Sequence, residues 1–224
     1  MSGTLALVRL LQLASPSLPV GAYSYSQGLE AAIESGEVRD AASAKRWIGA
    51  VLALSVAGME APLVARMLRA WSQGDIGAVR RWNDDYVASR ETAELRAETL
   101  QMGYSLARLV CELEPETKST LACIEAPSFP AVFAFASVQA KVEPREALAA
   151  YLFAWIENQA LAALKLIPLG QTQGQALIRE LAKGIPEIVD RALALPDDAL
   201  GNFAPGLAMA SSRHETQYTR LFRS

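Results

Sequence analysis

PREALAAYLFAWIENQALAALKLIP (residues 144–168) is the stretch that decides the fold. It begins with a proline, which is favoured at the first position of a helix, and its next proline is Pro168. Residues at helical spacing place one apolar stripe between the two prolines: Leu148, Leu152, Trp155, Gln159 and Leu166. The stretch therefore predicts a long helix with one side facing a core.

The helical signature extends through all 224 residues. The chain contains 40 alanines and 30 leucines, two of the best helix formers, whereas β-branched residues are sparse. Hydrophobic residues make up 51% and charged residues 20%, which excludes a disordered or collagen-like polymer. We expect an all-α protein in which about nine helices pack as a single bundle-like domain.

Prolines and capping residues divide the chain into these helices. A short apolar helix over 4–14 is followed by the loop SPSLPVG (15–21). Asp40 is predicted to cap a long helix that Pro62 kinks or divides. The apolar run AVFAFASV (131–138) has the aromatic residues of a strand, but its alanines favour a buried helix.

Charge and cysteine content restrict the class of protein. The 21 Lys and Arg residues against 24 Asp and Glu residues create no basic field for a nucleic-acid backbone. Cys111 and Cys123 form no paired motif and suit a reducing compartment. The uncharged run from Trp47 to Met59 is shorter than the ~20 residues that span a bilayer. We therefore expect a cytoplasmic protein that binds neither nucleic acid nor membrane.

Catalytic and metal-binding motifs are scarce. His214 is the single histidine, which is too few ligands for a histidine-rich metal site within one chain. Two copies of His214 could meet in a symmetric dimer. GQTQG (170–174) lacks the Lys and Ser or Thr of a P-loop. Asp84 and Asp85 resemble the Mg²⁺-binding aspartates of helical isoprenoid synthases, although Ala88 stands where a third is expected. An all-helical Mg²⁺-dependent enzyme is therefore an alternative to a non-catalytic protein without a cofactor.

Two segments instead have the composition of contact surfaces. Tyr23 and Tyr25 stand among small polar residues, a mix that suits binding, although both could equally pack back onto the first helix. SSRHETQYTRLFRS (211–224) combines arginines with Tyr218 and Phe222, and arginine and aromatic side chains dominate interface hot spots. A generic helical interaction module would explain this pattern.

The tail of residues 211–224 is predicted to be a unit apart from a helical domain of residues 1–210. As a helix it would carry His214, Tyr218, Leu221 and Phe222 on one side and Arg213, Arg220 and Arg223 on the other. Chain ends order only when they dock, and unused anchors of this kind promote aggregation. We therefore expect the tail to order against a partner rather than against its own body.

Four blocks of the sequence resemble the UreF family of urease accessory proteins. They are SPSLPVGAYSYSQGLE (15–30), SRETAELRAETLQMGYSL (89–106), NQALAALKLIPLGQTQGQ (158–175) and SSRHETQYTRLFRS (211–224). The blocks keep their order from one end of the chain to the other, so the resemblance covers most of it. It is weaker over 107–157, where the segment from Phe133 to Ala136 lacks the glycine of a Gly-Ala pair that the family often has.

The resemblance implies an all-α homodimer that is not an enzyme and carries no cofactor. It implies an adaptor that bridges the accessory protein UreD, also called UreH, and the GTPase UreG, so that nickel enters apo-urease. The tail would dock UreD, and the dimer surface with nearby tail residues would receive UreG. The partner-contact residues that this implies are Arg213, His214, Glu215, Tyr218, Arg220, Leu221 and Phe222, joined by Tyr23, Tyr25, Ser26 and Gln27.

Overall fold

Helices follow one another from Gly3 to His214, and the computed structural model, which describes residues 3–224, contains no β-strand in that range. The all-α prediction is confirmed. The helices are α1 (Gly3–Leu13), α2 (Leu29–Glu34), α3 (Ala41–Val51), α4 (Ala61–Gln73), α5 (Ile76–Ala88), α6 (Ala93–Leu113), α7 (Lys118–Leu121), α8 (Phe129–Gln139), α9 (Pro144–Leu166), α10 (Gln171–Ala182), α11 (Ile185–Ala194) and α12 (Pro205–His214).

The core is built around α8 and α9. Helix α8 packs between α4 and α6, while α9 packs against α10, α11 and α4. Every residue from Pro130 to Ser137 is buried, as expected for a helix that is hydrophobic all round. The predicted long helix from Pro144 is also confirmed, and its Leu148, Leu152 and Ile156 are fully buried.

The helix predicted to begin after Asp40 runs without interruption to Gln73. The Asp40 side chain accepts a hydrogen bond of 2.8 Å from the Ser43 backbone N–H, as a helix cap does. A π-helical segment, Leu52–Glu60, joins α3 to α4, and Pro62 lies in the first turn of α4. Of the two predicted effects of Pro62, division of the helix is wrong, and a kink stays a prediction. The Gly58 carbonyl, which an N–H at position 62 would have reached, accepts from the Gly201 backbone N–H at 3.1 Å instead.

Among residues 3–224, two helices are long and apolar enough to cross a membrane, Ala41–Gln73 and Pro144–Leu166. The run from Trp47 to Met59, expected to be too short, is part of the first of them. In the most apolar window of each helix, 67% and 56% of the residues are buried inside the fold. This burial is the arrangement of core helices in a soluble protein.

Candidate partner-binding site

The C-terminal residues lie against the body of their own chain. Helix α12 ends at His214, and residues 215–224 form turns, so the helical arrangement considered for the whole tail is wrong beyond His214. The backbone N–H groups of Leu221 and Phe222 donate to Glu30 in α2 instead of to helical carbonyls. Phe222 and Ser224 are buried, so the tail orders without the partner that the sequence led us to expect.

The tail and the predicted tyrosine loop are neighbours. The Arg223 N–H donates to the Ser24 carbonyl at 2.8 Å, and the Ser26 N–H donates to the Ser224 carbonyl at 2.9 Å. The Ser26 hydroxyl donates to the same carbonyl. The structure thus joins the two segments that the sequence singled out into one surface.

The loop turns into α2 through two residues in the left-handed region, Gln27 at φ 51° and Gly28 at φ 76°. A Cβ at Gly28 would also lie 3.1 Å from the Ser211 backbone nitrogen, so glycine lets α12 pack closely there. The Gln27 side-chain amide donates a hydrogen bond of 2.7 Å to Glu98. It accepts one of 2.9 Å from the indole N–H of Trp155. These contacts fix the loop on α6 and α9.

The loop residues predicted to bind partners have different exposures. Tyr25 is buried, and its hydroxyl donates a hydrogen bond of 2.9 Å to the Gln101 side chain in α6. Ser26 is fully buried beneath the tail. Tyr23, by contrast, is 63% exposed and does not pack back into the core. The inner residues therefore support the loop, and Tyr23 is the side chain that it presents.

His214 is fully buried between two carboxylates. Its Nδ1 lies 2.6 Å from Oε2 of Glu94, and its Nε2 lies 3.0 Å from Oε2 of Glu30. A neutral imidazole has one N–H and one lone pair, whereas an imidazolium donates from both nitrogens. Both ring nitrogens are therefore occupied within the chain.

The two carboxylates also bind the tail directly. Glu94 Oε1 lies 2.6 Å from Nη1 of Arg220, and Glu30 accepts the tail N–H groups of Leu221 and Phe222 at 2.7 and 2.9 Å. The Glu215 carboxylate accepts a hydrogen bond of 2.9 Å from the backbone N–H of Ala93 at the start of α6. A negative charge is favourable at this position, because the N-terminus of a helix carries a partial positive charge. The cluster connects α2, α6, α12 and the tail.

The outer side of the tail carries aromatic and aliphatic side chains among cations. Tyr218 is fully exposed and Leu221 is 65% exposed. The Lys165 ammonium lies 5.6 Å from the ring of Tyr23 and 5.4 Å from that of Phe222. Six exposed residues lie on this side, and we call them the exposed tail surface: Tyr23, Lys165, Tyr218, Arg220, Leu221 and Arg223. The predicted residue Arg213 is also exposed, on α12.

A cavity of about 100 Å³ lies beneath the loop, and its mostly apolar lining includes the polar side chains of Glu60, Arg90 and Glu98. Glu60, from the π segment, accepts the Tyr151 hydroxyl and lies 3.4 Å from Nη1 of Arg90, while Nε of Arg90 has no partner. Glu98 also lines the cavity, and burial raises its pKa to about 7, although hydrogen bonds from Gln27 and Ser224 oppose the shift. These buried polar groups lie next to the anchored loop.

Asp84 and Asp85, the residues of the alternative Mg²⁺-dependent enzyme, are exposed on α5. Asp84 accepts a 3.2 Å hydrogen bond from the neighbouring Asn83 amide. Within residues 3–224 no three His, Cys, Asp or Glu side chains are grouped so that they could hold a metal ion. The structure brings no further acidic ligand to this aspartate pair.

The acidic residues that organise the site were missed from the sequence. A glutamate in a helix is ordinarily expected to face solvent. Three of them contact the tail instead: Glu30, Glu94 and Glu98. One signal was available, because the two glutamates that bind His214 lie within blocks 15–30 and 89–106, which carry the family resemblance. Lys165, in block 158–175, was missed in the same way.

Comparison with known proteins gives the relatives of this chain. The profile of the UreF family matches residues 38–182. A urease accessory protein UreF of Azoarcus sp. (strain BH72) is 56% identical over 227 residues, covering 99% of this chain and 97% of the relative. UreF proteins of Methylobacillus flagellatus and Dechloromonas aromatica are 52% and 50% identical, with both members of each pair covered completely. The chain therefore belongs to the UreF family of urease accessory proteins.

Proposed function

We propose that this chain is a non-catalytic adaptor in urease maturation. It bridges UreD, also called UreH, and the GTPase UreG while nickel enters apo-urease, and it acts as a homodimer in the cytoplasm. The observation that carries the proposal is the exposed tail surface, in which Tyr218 and Leu221 protrude from a rigidly anchored segment. Aromatic and arginine side chains on a preorganised base bind partners at low entropic cost.

The charge of this surface points to the chemistry of its partner. Lys165, Arg220 and Arg223 surround the apolar groups, although the chain as a whole carries a formal charge of −3. A partner face with an apolar centre and an acidic rim would complement it, because opposite potentials favour encounter and register. We assign this surface to UreD and the dimer surface with nearby tail residues to UreG.

Size-exclusion chromatography with purified UreD tests the assignment. A Tyr218→Ala/Leu221→Ala variant should retain its melting temperature and lose co-elution, since removing two hot-spot side chains weakens binding by at least about 30-fold. The matched control is Tyr104→Ala/Leu113→Ala, which removes an exposed tyrosine and leucine from α6. Co-elution of the tail variant at the level of the control would refute the assignment.

Adding UreG tests the bridging role separately. The unmodified chain should bring UreG into one peak with UreD, and UreD mixed with UreG alone should not form that peak. If UreG joins UreD equally well without this chain, the adaptor role is refuted. If the purified chain alone turned over a diphosphate substrate with Mg²⁺, the non-catalytic role would be refuted as well.

A further inference from the structure

The surroundings of His214 are rich in charge. Glu30 faces it from α2 and Glu94 faces it from α6. Arg220 of the tail contacts Glu94, and Arg213 and Glu215 flank the histidine in sequence. The cluster therefore combines two carboxylates, the Arg220 guanidinium and the two ring nitrogens of His214. A buried cluster of this kind is satisfied only when its charges and hydrogen bonds are balanced.

Each ring nitrogen of His214 has a carboxylate oxygen as its partner, at 2.6 Å in Glu94 and at 3.0 Å in Glu30. Removing one member of a buried cluster leaves the remaining polar groups without partners, which is costly. Glu30 and Glu94 would then have to move to find other partners.

Movement of either glutamate would be felt by the tail. Glu30 holds the backbone N–H groups of Leu221 and Phe222, and Glu94 holds the Arg220 guanidinium. Leu221 and Arg220 are members of the exposed tail surface. The histidine thus controls the position of the surface without being exposed itself.

We propose that His214, Glu30 and Glu94 are positioning residues, which hold the exposed tail surface in its partner-binding arrangement. The positioning role rests on the proposed function, whereas the latch itself is a property of the isolated chain. The three residues form a latch, in which a buried ring fixes two carboxylates and the carboxylates hold the tail.

Hydrogen exchange in the isolated chain tests the latch. Protection of the Leu221 and Phe222 amides, corrected for the intrinsic exchange rate, should fall at least tenfold in Glu30→Gln. It should stay unchanged in the control Glu34→Gln, which alters an exposed glutamate one turn further along α2. Equal protection in the two variants would overturn the latch.

Binding to UreD separates the positioning role from the proposed function. Glu30→Gln should weaken binding at least tenfold even though it leaves Tyr218 and Leu221 in place. If the latch variant binds normally while Tyr218→Ala/Leu221→Ala does not, the positioning role fails and the proposed function stands. If both bind normally, the assignment of the tail surface to UreD fails too.

Discussion

The hydroxyl of Ser224 donates a hydrogen bond of 2.7 Å to Oε2 of Glu98, and this contact links the tail to the interior of α6. The other oxygen of Glu98 accepts from the Gln27 amide. Both donors are neutral, and the side chain is buried, so burial raises the pKa of the carboxyl group to about 7. The tail is therefore anchored on an acid that titrates near neutral pH.

Glu98 makes the stability of the protein depend on pH. Its pKa lies above the ordinary value of 4.5, so between the two values the folded state holds a proton that the unfolded state has released. The contribution of Glu98 to the free energy of unfolding is fully present below about pH 4.5 and is lost as the pH rises through about 7. The total loss is roughly 3 kcal/mol. Glu98→Gln should therefore gain stability relative to the unmodified chain as the pH rises.

Urea denaturation at pH 5, 6, 7 and 8 and constant protein concentration measures this gain. Glu187→Gln, at an exposed position of α11, serves as the control and should parallel the unmodified chain. A constant difference between Glu98→Gln and the unmodified chain across the series would show that the carboxyl group titrates normally.

Gly103 sets the closest approach between α6 and the start of α8. A Cβ there would meet the Pro127 carbonyl oxygen at 2.0 Å and Ser128 backbone carbon at 2.6 Å. Backbone atoms cannot rotate away, so Gly103→Ala should cost about 3 kcal/mol or more of unfolding free energy. Gly206→Ala in α12 has open space and should be neutral or gain up to about 1 kcal/mol. Thermal melts that fail to separate the two variants would contradict the close packing.

Glu60 neutralises Arg90 inside the core. Both side chains are at least 95% buried, and the Arg90 guanidinium also lies 4.5 Å from the Tyr86 ring. Glu60→Ala leaves a buried cation uncompensated and should cost about 3–5 kcal/mol. The matched control is Asp190→Ala, which breaks the exposed pair with Arg145 and should change stability little. Similar melting temperatures for the two variants would show that Arg90 reaches water.

Phe222 and Tyr218 are aromatic residues of one tail with opposite environments. Phe222 is buried against the body and Tyr218 is fully exposed. Phe222→Ala should lower stability by up to about 3 kcal/mol, with a ceiling at the free energy of tail docking, because the tail can detach while the body stays folded. Tyr218→Ala should leave the urea midpoint unchanged. A tail that contributes nothing to stability would give the same midpoint for both.

Much of the fold follows from local patterns in the sequence. Proline at position 144, the apolar stripe of α9, the Asp40 cap and the alanine-rich run 131–138 all predict the helices that form. The exceptions arise where neighbours intervene. Pro62 does not break its helix, because the Gly58 carbonyl that loses its helical donor accepts from Gly201 instead. Residues after His214 leave the helix, because Glu30 and Ser24 satisfy their backbone groups.

The sequence by itself determined the helical class, the family and the two segments that form the candidate site, since helix periodicity and capping act over a few residues. Only the tertiary structure decided which of those residues are anchors and which are exposed. His214 reaches Glu94 across 120 positions and Glu30 across 184, and no local pattern encodes such pairs. The tail is amphipathic in composition, but its burial depends on acids supplied by distant helices.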